Sequence, residues 1–299
     1  MFPMKDQSLV KIWLMAARPQ TLMASAMPVI AGGVMSLHNQ RYSFFNFFII
    51  LLCALFIQIG TNFANDYFDC IKGADNDLRD GFTRVTHAGL VSLRDMRLAF
   101  IISLGIATLL GGYLVYLGGA PILIIGILSL ISALAYTAGP YPLAYNGLGD
   151  LFVFTFFGPV AVGGTYYLLS GEFNLLSLIV GCSFGCIIDG ILVVNNLRDV
   201  ENDRVVNKNT LVVKLGKRFA RFFYAFLMTI GAVAPIFYVI IKTGKYLLVL
   251  IFLYLFFVAP LIKNIFKEND GRGMNKILIK TGISVIIFTL CFSCGWLIN

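Results

Sequence analysis

The chain has 299 residues, of which 59% are hydrophobic and only 13% are charged, and its formal net charge is +8 at pH 7. Soluble domains carry about 25% charged residues, so this composition excludes a soluble globular protein and predicts one that crosses a membrane several times. The positive charge does not indicate a nucleic-acid partner, because Lys and Arg are abundant in the cytoplasmic loops of membrane proteins. We expect membrane lipid around the chain and no nucleic acid among its partners.

Nine apolar stretches follow one another along the chain, each close to the ~20 residues that a helix needs to cross a bilayer. They lie at roughly 12–37, 43–65, 95–116, 120–138, 149–169, 175–196, 219–241, 245–262 and 277–297. No segment between them has the composition of a soluble domain or a linker. The predicted fold is therefore all-α, with about nine transmembrane helices that surround a central cavity and form one domain over residues 1–299.

Lys and Arg are distributed unequally between the predicted loops. If the nine helices alternate in direction, only Arg41, Lys242 and Lys245 of the 23 basic residues fall on the side opposite the N-terminus. Because cytoplasmic loops are the basic ones, this distribution predicts a cytoplasmic N-terminus and a C-terminus on the other side. We expect an integral protein of the bacterial cytoplasmic (inner) membrane.

Polar side chains interrupt two of the apolar stretches at helical spacing. In and just after the second stretch they recur at steps of about four residues: Gln58, Asn62, Asn65 or Asp66, and Asp69. In and just after the sixth they recur at wider helical steps: Asp189, Asn196, Asp199 and Asp203. Residues at these steps share one face of a helix. Because polar groups within a membrane usually face a cavity, we predict that both acidic stripes border one cavity and meet at its cytoplasmic end.

The residue types in these stripes indicate a metal and a phosphorylated ligand. Clustered carboxylates repel one another unless a cation lies between them, and Mg²⁺ is typically held by one or two carboxylates together with water and substrate phosphate. Nearby basic residues would balance the charge of a diphosphate: Lys72, Arg79, Arg84, Arg198, Lys208 and Lys214. Two other interpretations remain open, namely a cation channel or ion-coupled transporter with an acidic vestibule, and acids that only cap helix ends.

Several motifs resemble those of one protein family. Asn65-Asp66-Tyr67-Phe68-Asp69 resembles the first aspartate-rich motif of the UbiA superfamily of intramembrane aromatic prenyltransferases, and the segment 199–203 resembles the second. The similarity is greater to the 1,4-dihydroxy-2-naphthoate polyprenyltransferase branch. The motifs that carry it are Arg18-Pro19-Gln20, Tyr136-Thr137-Ala138-Gly139-Pro140, Gly147-Leu148-Gly149-Asp150, Asn195-Asn196-Leu197-Arg198-Asp199 and Lys208-Asn209-Thr210-Leu211.

This resemblance implies an enzyme and a reaction. The expected activity is transfer of a polyprenyl group from polyprenyl diphosphate to 1,4-dihydroxy-2-naphthoate, with loss of CO2 and diphosphate, which gives demethylmenaquinone for menaquinone biosynthesis. The expected cofactor is Mg²⁺. A related acceptor, 4-hydroxybenzoate or homogentisate, stays open.

The resemblance also implies roles for individual residues. The expected catalytic metal ligands are Asp66, Asp69, Asp199 and Asp203, with Asp75 as a further metal ligand. The residues expected to bind the diphosphate or the aromatic ring are Asn65, Lys72, Arg84, Tyr136, Tyr141, Asn195, Asn196, Arg198 and Lys208. The two tyrosines have an alternative role as anchors at the membrane interface. Asp189 is either a hydrogen-bonded polar residue in a wet cavity or a proton acceptor, and Glu201 lies off the stripe and is expected to be dispensable.

Overall fold

The computed structural model describes residues 8–73 and 84–298. These residues are 84% helical and form no strand, which confirms the predicted all-α fold. The helices are α1 (Leu9–Ala17), α2 (Pro19–Ser36), α3 (Phe44–Ile71), α4 (Leu93–Ala135), α5 (Gly149–Thr155), α6 (Ala161–Ser170), α7 (Leu175–Arg198), α8 (Val200–Val205), α9 (Leu211–Phe226), α10 (Ala232–Thr243), α11 (Phe252–Lys267) and α12 (Gly271–Leu297). Single π-helical turns join α5 to α6 and α9 to α10, and 3₁₀ turns occupy Leu143–Tyr145 and Tyr246–Ile251.

Seven helical segments in the described ranges are long and apolar enough to cross a membrane. They are Phe44–Ile71, Leu93–Ala135, Gly149–Ser170, Leu175–Arg198, Leu211–Thr243, Tyr246–Lys267 and Gly271–Leu297. The chain is therefore an integral membrane protein with several transmembrane helices.

The segment α4 makes two passes rather than one. Its 43 residues would extend about 64 Å as a straight helix, twice the ~30 Å of a hydrocarbon core. Gly119 breaks the helix with φ 67° and ψ −153°, a conformation that suits glycine. Both ends of α4 lie at the same end of α3, because the Phe100 ring is 5.5 Å from that of Tyr67 and Thr137 donates a 2.8 Å hydrogen bond to Asn65. With α2 inside the bundle, the described helices make about nine passes, as predicted.

The first predicted stretch, 12–37, is not one helix. It divides into α1 and α2 at Arg18, which has a left-handed conformation with φ 52°. Pro19 causes this division, since it disfavours helical geometry in the preceding residue and is well suited to the first position of the next helix. Asn62 of α3 then donates 2.8 Å hydrogen bonds to the Ala17 carbonyl and to Thr21, which holds the broken end against α3.

Helix α7 is the most enclosed of the seven apolar segments, with 72% of its apolar window buried. Glycines on both sides allow α7 to touch the bend between α5 and α6: Gly181 and Gly185 on α7, and Gly158 in the bend. A Cβ at Gly181 would lie 2.6 Å from the Cα of Pro159. Gly158, inside that bend, has non-helical torsion angles. Helix α7 therefore stands in the centre of the bundle and fixes the position of the second acidic motif at its C-terminal end.

Candidate active site

A cavity of about 630 Å³ extends into the bundle between α2, α3, α4, α5, α7 and α12. Polar and charged side chains border one end of it: Arg18, Asn65, Asp69, Arg84, Asn195, Asn196, Arg198 and Lys208. Its other end is bordered by apolar residues such as Val29, Ile50 and Ile122. The first predicted stripe borders this cavity through Gln58, Asn62, Asn65 and Asp69, but the second borders it only through Asn196. Asp66, Asp189, Asp199 and Asp203 are buried behind the lining, because neighbouring side chains cover them. The arrangement separates a charged mouth from an apolar interior.

The first motif lies at the buried C-terminal end of α3. Asp69 accepts a 2.9 Å hydrogen bond from the hydroxyl of Tyr145 through Oδ1. The guanidinium of Arg84 lies 3.5 Å from its Oδ2. Asp66 accepts a 3.3 Å hydrogen bond from Thr86 through Oδ2, whereas its Oδ1 is buried and accepts none from the described residues. A buried carboxylate oxygen without a donor is costly unless a cation or a proton joins it.

Tyr145 brings the basic groups of the two motifs together. Its ring lies 4.8 Å from the ammonium group of Lys72 and 5.8 Å from that of Lys208. Lys72 also donates a hydrogen bond to the Thr137 carbonyl. Burial lowers the pKa of Lys72, an effect that the carboxylate of Asp69 partly offsets. Two cations beside one ring form a positive mouth that is suited to an anionic ligand.

The second motif is held by Arg198. Its guanidinium donates two 2.7 Å hydrogen bonds to Asp199, one to each carboxylate oxygen. It also bonds Asn195 at 2.9 Å and Asn275, on α12, at 2.8 Å. Because both members of the pair have side chains only 1% exposed, the ion pair is protected from water and its geometry is fixed.

Asp203 and Lys208 close a tight turn after the short helix α8. The Lys208 ammonium lies 3.6 Å from Oδ1 of Asp203. The backbone N–H of Lys208 donates a 2.8 Å hydrogen bond to the backbone carbonyl of Asp203. Asn207 permits the turn through a left-handed conformation with φ 55°, which Asn adopts more easily than most residues. Lys208 therefore reaches the cavity mouth, while Asp203 is buried behind it.

A second acidic group lies deeper. Asp150 borders the cavity from the first turn of α5, and Asp189 is buried in α7. Tyr136 borders the cavity beside them, as predicted, and its hydroxyl oxygen lies 3.2 Å from where a Cβ on Gly149 would stand. Burial raises the pKa of Tyr136, and the carboxyl groups of Asp150 and Asp189 raise it further, so its hydroxyl remains a hydrogen-bond donor.

Some predicted residues fall elsewhere. Tyr141 is 61% exposed and does not border the cavity, because the chain turns at Gly139 (φ 83°) and a 3₁₀ turn directs Tyr145 to the site instead. Asp75 and Arg79 lie outside the described residues. Glu201 points away from the site and pairs with Lys217 at 2.7 Å. That hydrogen bond lowers the pKa of Glu201.

Several side chains complete the site without any pattern in the sequence that marks a role for them. Arg18, in the Arg18-Pro19-Gln20 motif, borders the cavity. Thr86, Thr137 and Tyr145 bond to the first motif from loops. Asn275 reaches Arg198 from a helix that carries no motif. An ordinary Tyr, Thr or Asn has no pattern that would mark these positions.

The donor set fits a divalent cation that shares its coordination with a ligand. No three acidic, His or Cys side chains in the described ranges converge on one point. Mg²⁺ does not need three, because it commonly takes one or two carboxylates and completes its shell with water and phosphate oxygens. The unpartnered Oδ1 of Asp66, with Asp69 one helical turn away, is such a partial site.

Comparison with known proteins agrees with this chemistry. Residues 25–281 match the model of the UbiA prenyltransferase family. The chain is 32% identical to the 1,4-dihydroxy-2-naphthoate octaprenyltransferase of Mycobacterium tuberculosis, over 93% of this chain and 94% of that one. It is 29% identical to the enzyme of the same name from Haemophilus influenzae, over 97% of both chains.

A solved structure shares the fold. It is a UbiA homolog from Archaeoglobus fulgidus bound to DMAPP and Mg²⁺, with a TM-score of 0.61 at 16% identity. The match covers 96% of this chain and 99% of that one.

Proposed function

The chain belongs to the UbiA prenyltransferase family, and we propose that it transfers a polyprenyl group to 1,4-dihydroxy-2-naphthoate with loss of CO2 and diphosphate. The product is demethylmenaquinol, the reduced form of demethylmenaquinone in menaquinone biosynthesis. The observation that carries this function is the cavity itself, whose charged mouth is continuous with an apolar interior of the kind an isoprenoid diphosphate requires. Curated naphthoate octaprenyltransferases that match nearly the full chain support the same reaction.

The diphosphate binds at the charged mouth. Lys72 and Lys208 lie 4.8 Å and 5.8 Å from the Tyr145 ring, and Arg84 lies beside Asp69. The carboxylates of Asp66, Asp69, Asp199 and Asp203 are the proposed holders of Mg²⁺, which when bound would neutralise the charge that develops on the leaving diphosphate. Asn65, Asn195 and Asn196 orient these groups through their amides. Because the cations are already in place, little reorganisation is needed when the allylic C–O bond breaks.

The cavity interior protects the allylic cation. Phe152, Phe156 and Phe157 border it on the α5 side, and aromatic faces attract cations. The surrounding helices exclude water, which would otherwise convert the cation to an alcohol. Electrons of the naphthoate ring then form the new C–C bond, the carboxyl group leaves as CO2, and its bonding electrons return to the ring.

The proposed orientation follows the basic loops. The two acidic motifs lie at one end of the bundle, and the N-terminus is proposed to lie on the same cytoplasmic side, with the C-terminus opposite. Labelling of single cysteines introduced at the two termini, with a reagent that does not cross membranes, tests this orientation in intact cells.

A reconstituted assay tests the function. Purified protein receives a polyprenyl diphosphate, Mg²⁺ and 1,4-dihydroxy-2-naphthoate, and lipids are analysed by mass spectrometry. We expect a prenylated naphthoquinol and released CO2, with much less product from 4-hydroxybenzoate or homogentisate. Folded protein that yields no prenylated product, but carries ions or solutes across liposomes, would instead support the transporter interpretation.

A further inference from the structure

The diphosphate chemistry leaves one buried carboxyl pair unused. Asp150, on α5, borders the cavity and is 4% exposed, and Asp189, on α7, is 2% exposed. Oδ1 of each accepts no hydrogen bond from the part of the chain that the structure describes. A buried polar atom without a partner is rare and indicates a proton, an ion or a ligand that supplies the missing bond.

Helix packing sets these two carboxyl groups side by side. A Cβ on Gly149 would lie 3.5 Å from Leu192, and one on Gly185 would lie 2.5 Å from the Phe154 carbonyl, so α5 and α7 run in opposite directions in close contact. Between those two contacts, position 150 stands opposite position 189. The two carboxyl groups interact electrostatically.

The pair can hold a proton and accept another hydrogen bond. No basic side chain in the described segments forms an ion pair with either residue, and two close carboxylates in a buried site cannot both keep a charge without a cation. One proton shared between them leaves an oxygen on the cavity side as an acceptor. Because Asp150 borders the cavity and Asp189 does not, Asp150 is the member that a ligand can reach.

We propose that Asp150 accepts a hydrogen bond from a hydroxyl group of the aromatic acceptor and takes its proton as the ring attacks, with Asp189 positioning Asp150 for this role. This inference rests on the proposed function. Asp189 lies seven residues before Asn196 on the same helical face, so the pair lies about 10 Å deeper along α7 than the charged mouth. The acceptor's carboxylate is repelled by the pair and goes to the basic mouth, so its hydroxyl, a donor, faces Asp150.

The proton balance closes within the site. As the hydroxyl proton moves to Asp150, the ring gains electron density and forms the C–C bond, while the diphosphate keeps the electron pair of the broken C–O bond. Loss of CO2 then returns electrons to the ring, and Asp150 gives the proton back to the same oxygen. Tyr136, which remains a donor, stabilises the oxygen while it is negative. No oxidant or external base is needed.

The test uses Asp150→Asn and Asp189→Asn, which keep the side-chain shape but remove the proton acceptor. General base catalysis typically contributes ~10²- to 10⁴-fold, so we expect kcat to fall about 100-fold in the first variant and less in the second. In both, the KM for polyprenyl diphosphate stays within about twofold of wild type, whereas the KM for the naphthoate rises. Ser183→Ala, also buried on α7 but away from the cavity, is the matched control.

A substrate analogue separates this role from a structural one. A naphthoate whose hydroxyl groups are methylated has no proton to give, so the difference between wild type and Asp150→Asn should disappear with it. Melting temperatures in detergent identify any variant that fails to fold. If Asp150→Asn fails to fold, the inference is tested by comparing wild-type turnover of the free and the methylated naphthoate. An unchanged kcat in Asp150→Asn, or equal turnover of both naphthoates by wild type, overturns the inference. Wild-type protein that makes no product from either would overturn the proposed function instead.

Discussion

The hydroxyl of Tyr145 donates a 2.9 Å hydrogen bond to Oδ1 of Asp69, across 76 residues of sequence. The same tyrosine ring lies 4.8 Å from the ammonium group of Lys72, just after the first motif, and 5.8 Å from that of Lys208, just after the second. Its backbone carbonyl accepts a 2.9 Å hydrogen bond from Asn209, just after the second motif. One tyrosine in a short loop therefore sets the spacing between the two acidic helix ends.

Removal of this hydroxyl should weaken catalysis without unfolding the protein. A hydrogen bond to a charged group is worth about 1.5–3 kcal/mol, so we expect Tyr145→Phe to lower kcat/KM about tenfold or more. The concentration of Mg²⁺ that gives half-maximal rate should rise as Asp69 loses its orientation. Tyr141→Phe, at the exposed position, is the control and should match wild type. Equal effects in both variants would contradict the assignment of Tyr145.

Asp66, the first-motif acid whose Oδ1 accepts no hydrogen bond from the described residues, should be essential for catalysis. We expect Asp66→Asn to lower kcat by about 10²-fold or more, because an amide oxygen carries no charge for a cation. Chelation with EDTA should abolish wild-type turnover, and added Mg²⁺ should restore it. Glu201→Gln, in the second motif but directed away from the cavity, should retain wild-type kcat. A wild-type rate in Asp66→Asn at low Mg²⁺ concentration would refute the metal role.

Glu201 should affect stability in one pH range only. Its pKa in the folded protein lies below the ordinary value of 4.5, chiefly through the hydrogen bond from Lys217. A depressed folded-state pKa means that the stabilisation is fully present above the unfolded pKa and is lost as the pH falls through the folded pKa. The side chain is 66% exposed, so the contribution is small and sensitive to salt. Melting temperatures of wild type and Glu201→Gln should differ slightly at pH 7 and converge as the pH falls below the folded-state pKa of Glu201.

Asn275 should matter although it lies far from both motifs in sequence. Its side chain accepts a 2.8 Å hydrogen bond from the Arg198 guanidinium in a partly buried position. Asn275→Ala leaves a guanidinium N–H without its partner, at a cost of about 1–3 kcal/mol, and we expect lower thermal stability together with a raised KM for the diphosphate. Asn264→Ala, exposed on α11, is the control. If only stability changes, Asn275 supports the helices and has no effect on the site.

The cavity interior should limit the length of the prenyl chain. Gly111, Gly112 and Gly126 border it, and a Cβ on any of them would meet nothing within 4 Å. We expect Gly126→Leu to fill part of this space and to reduce use of a long polyprenyl diphosphate more than that of a short one. Competition between the two donors, with products measured by mass spectrometry, reports the ratio. Gly105→Leu, also open but not on the cavity, is the control, and an unchanged ratio would show that the tail lies elsewhere.

The sequence was sufficient for features that lie within one helix. The stripe from Gln58 to Asp69 could be read from helical spacing alone, and the structure places it on the cavity. The same holds for Asn196, whereas Asn195 was expected from the family resemblance and borders the cavity as well. Composition likewise predicted the membrane-crossing helices, because a bilayer imposes length and apolarity on each of them.

Features that depend on two distant segments could not be read in this way. Whether Tyr141 or Tyr145 enters the site depends on the torsion angles of Gly139 and on the turn that follows, which residue spacing does not encode. The pairing of Asp150 with Asp189 required the packing of α5 on α7. The sequence showed Arg18 only as part of a family motif, and its place at the cavity mouth depends on how α3 holds the break between α1 and α2.

The bond between Arg198 and Asn275 constrains how this chain can be recombined with its relatives. The recognisable motifs end at Leu211, the first residue of α9. This invites exchange of the last four helices, α9 to α12, as an interchangeable module. A chimera with its junction between α7 and α12 would separate the guanidinium from its acceptor on α12. Such a hybrid would need Asn, or another acceptor of equal reach, at position 275 before its second acidic motif could keep its native geometry.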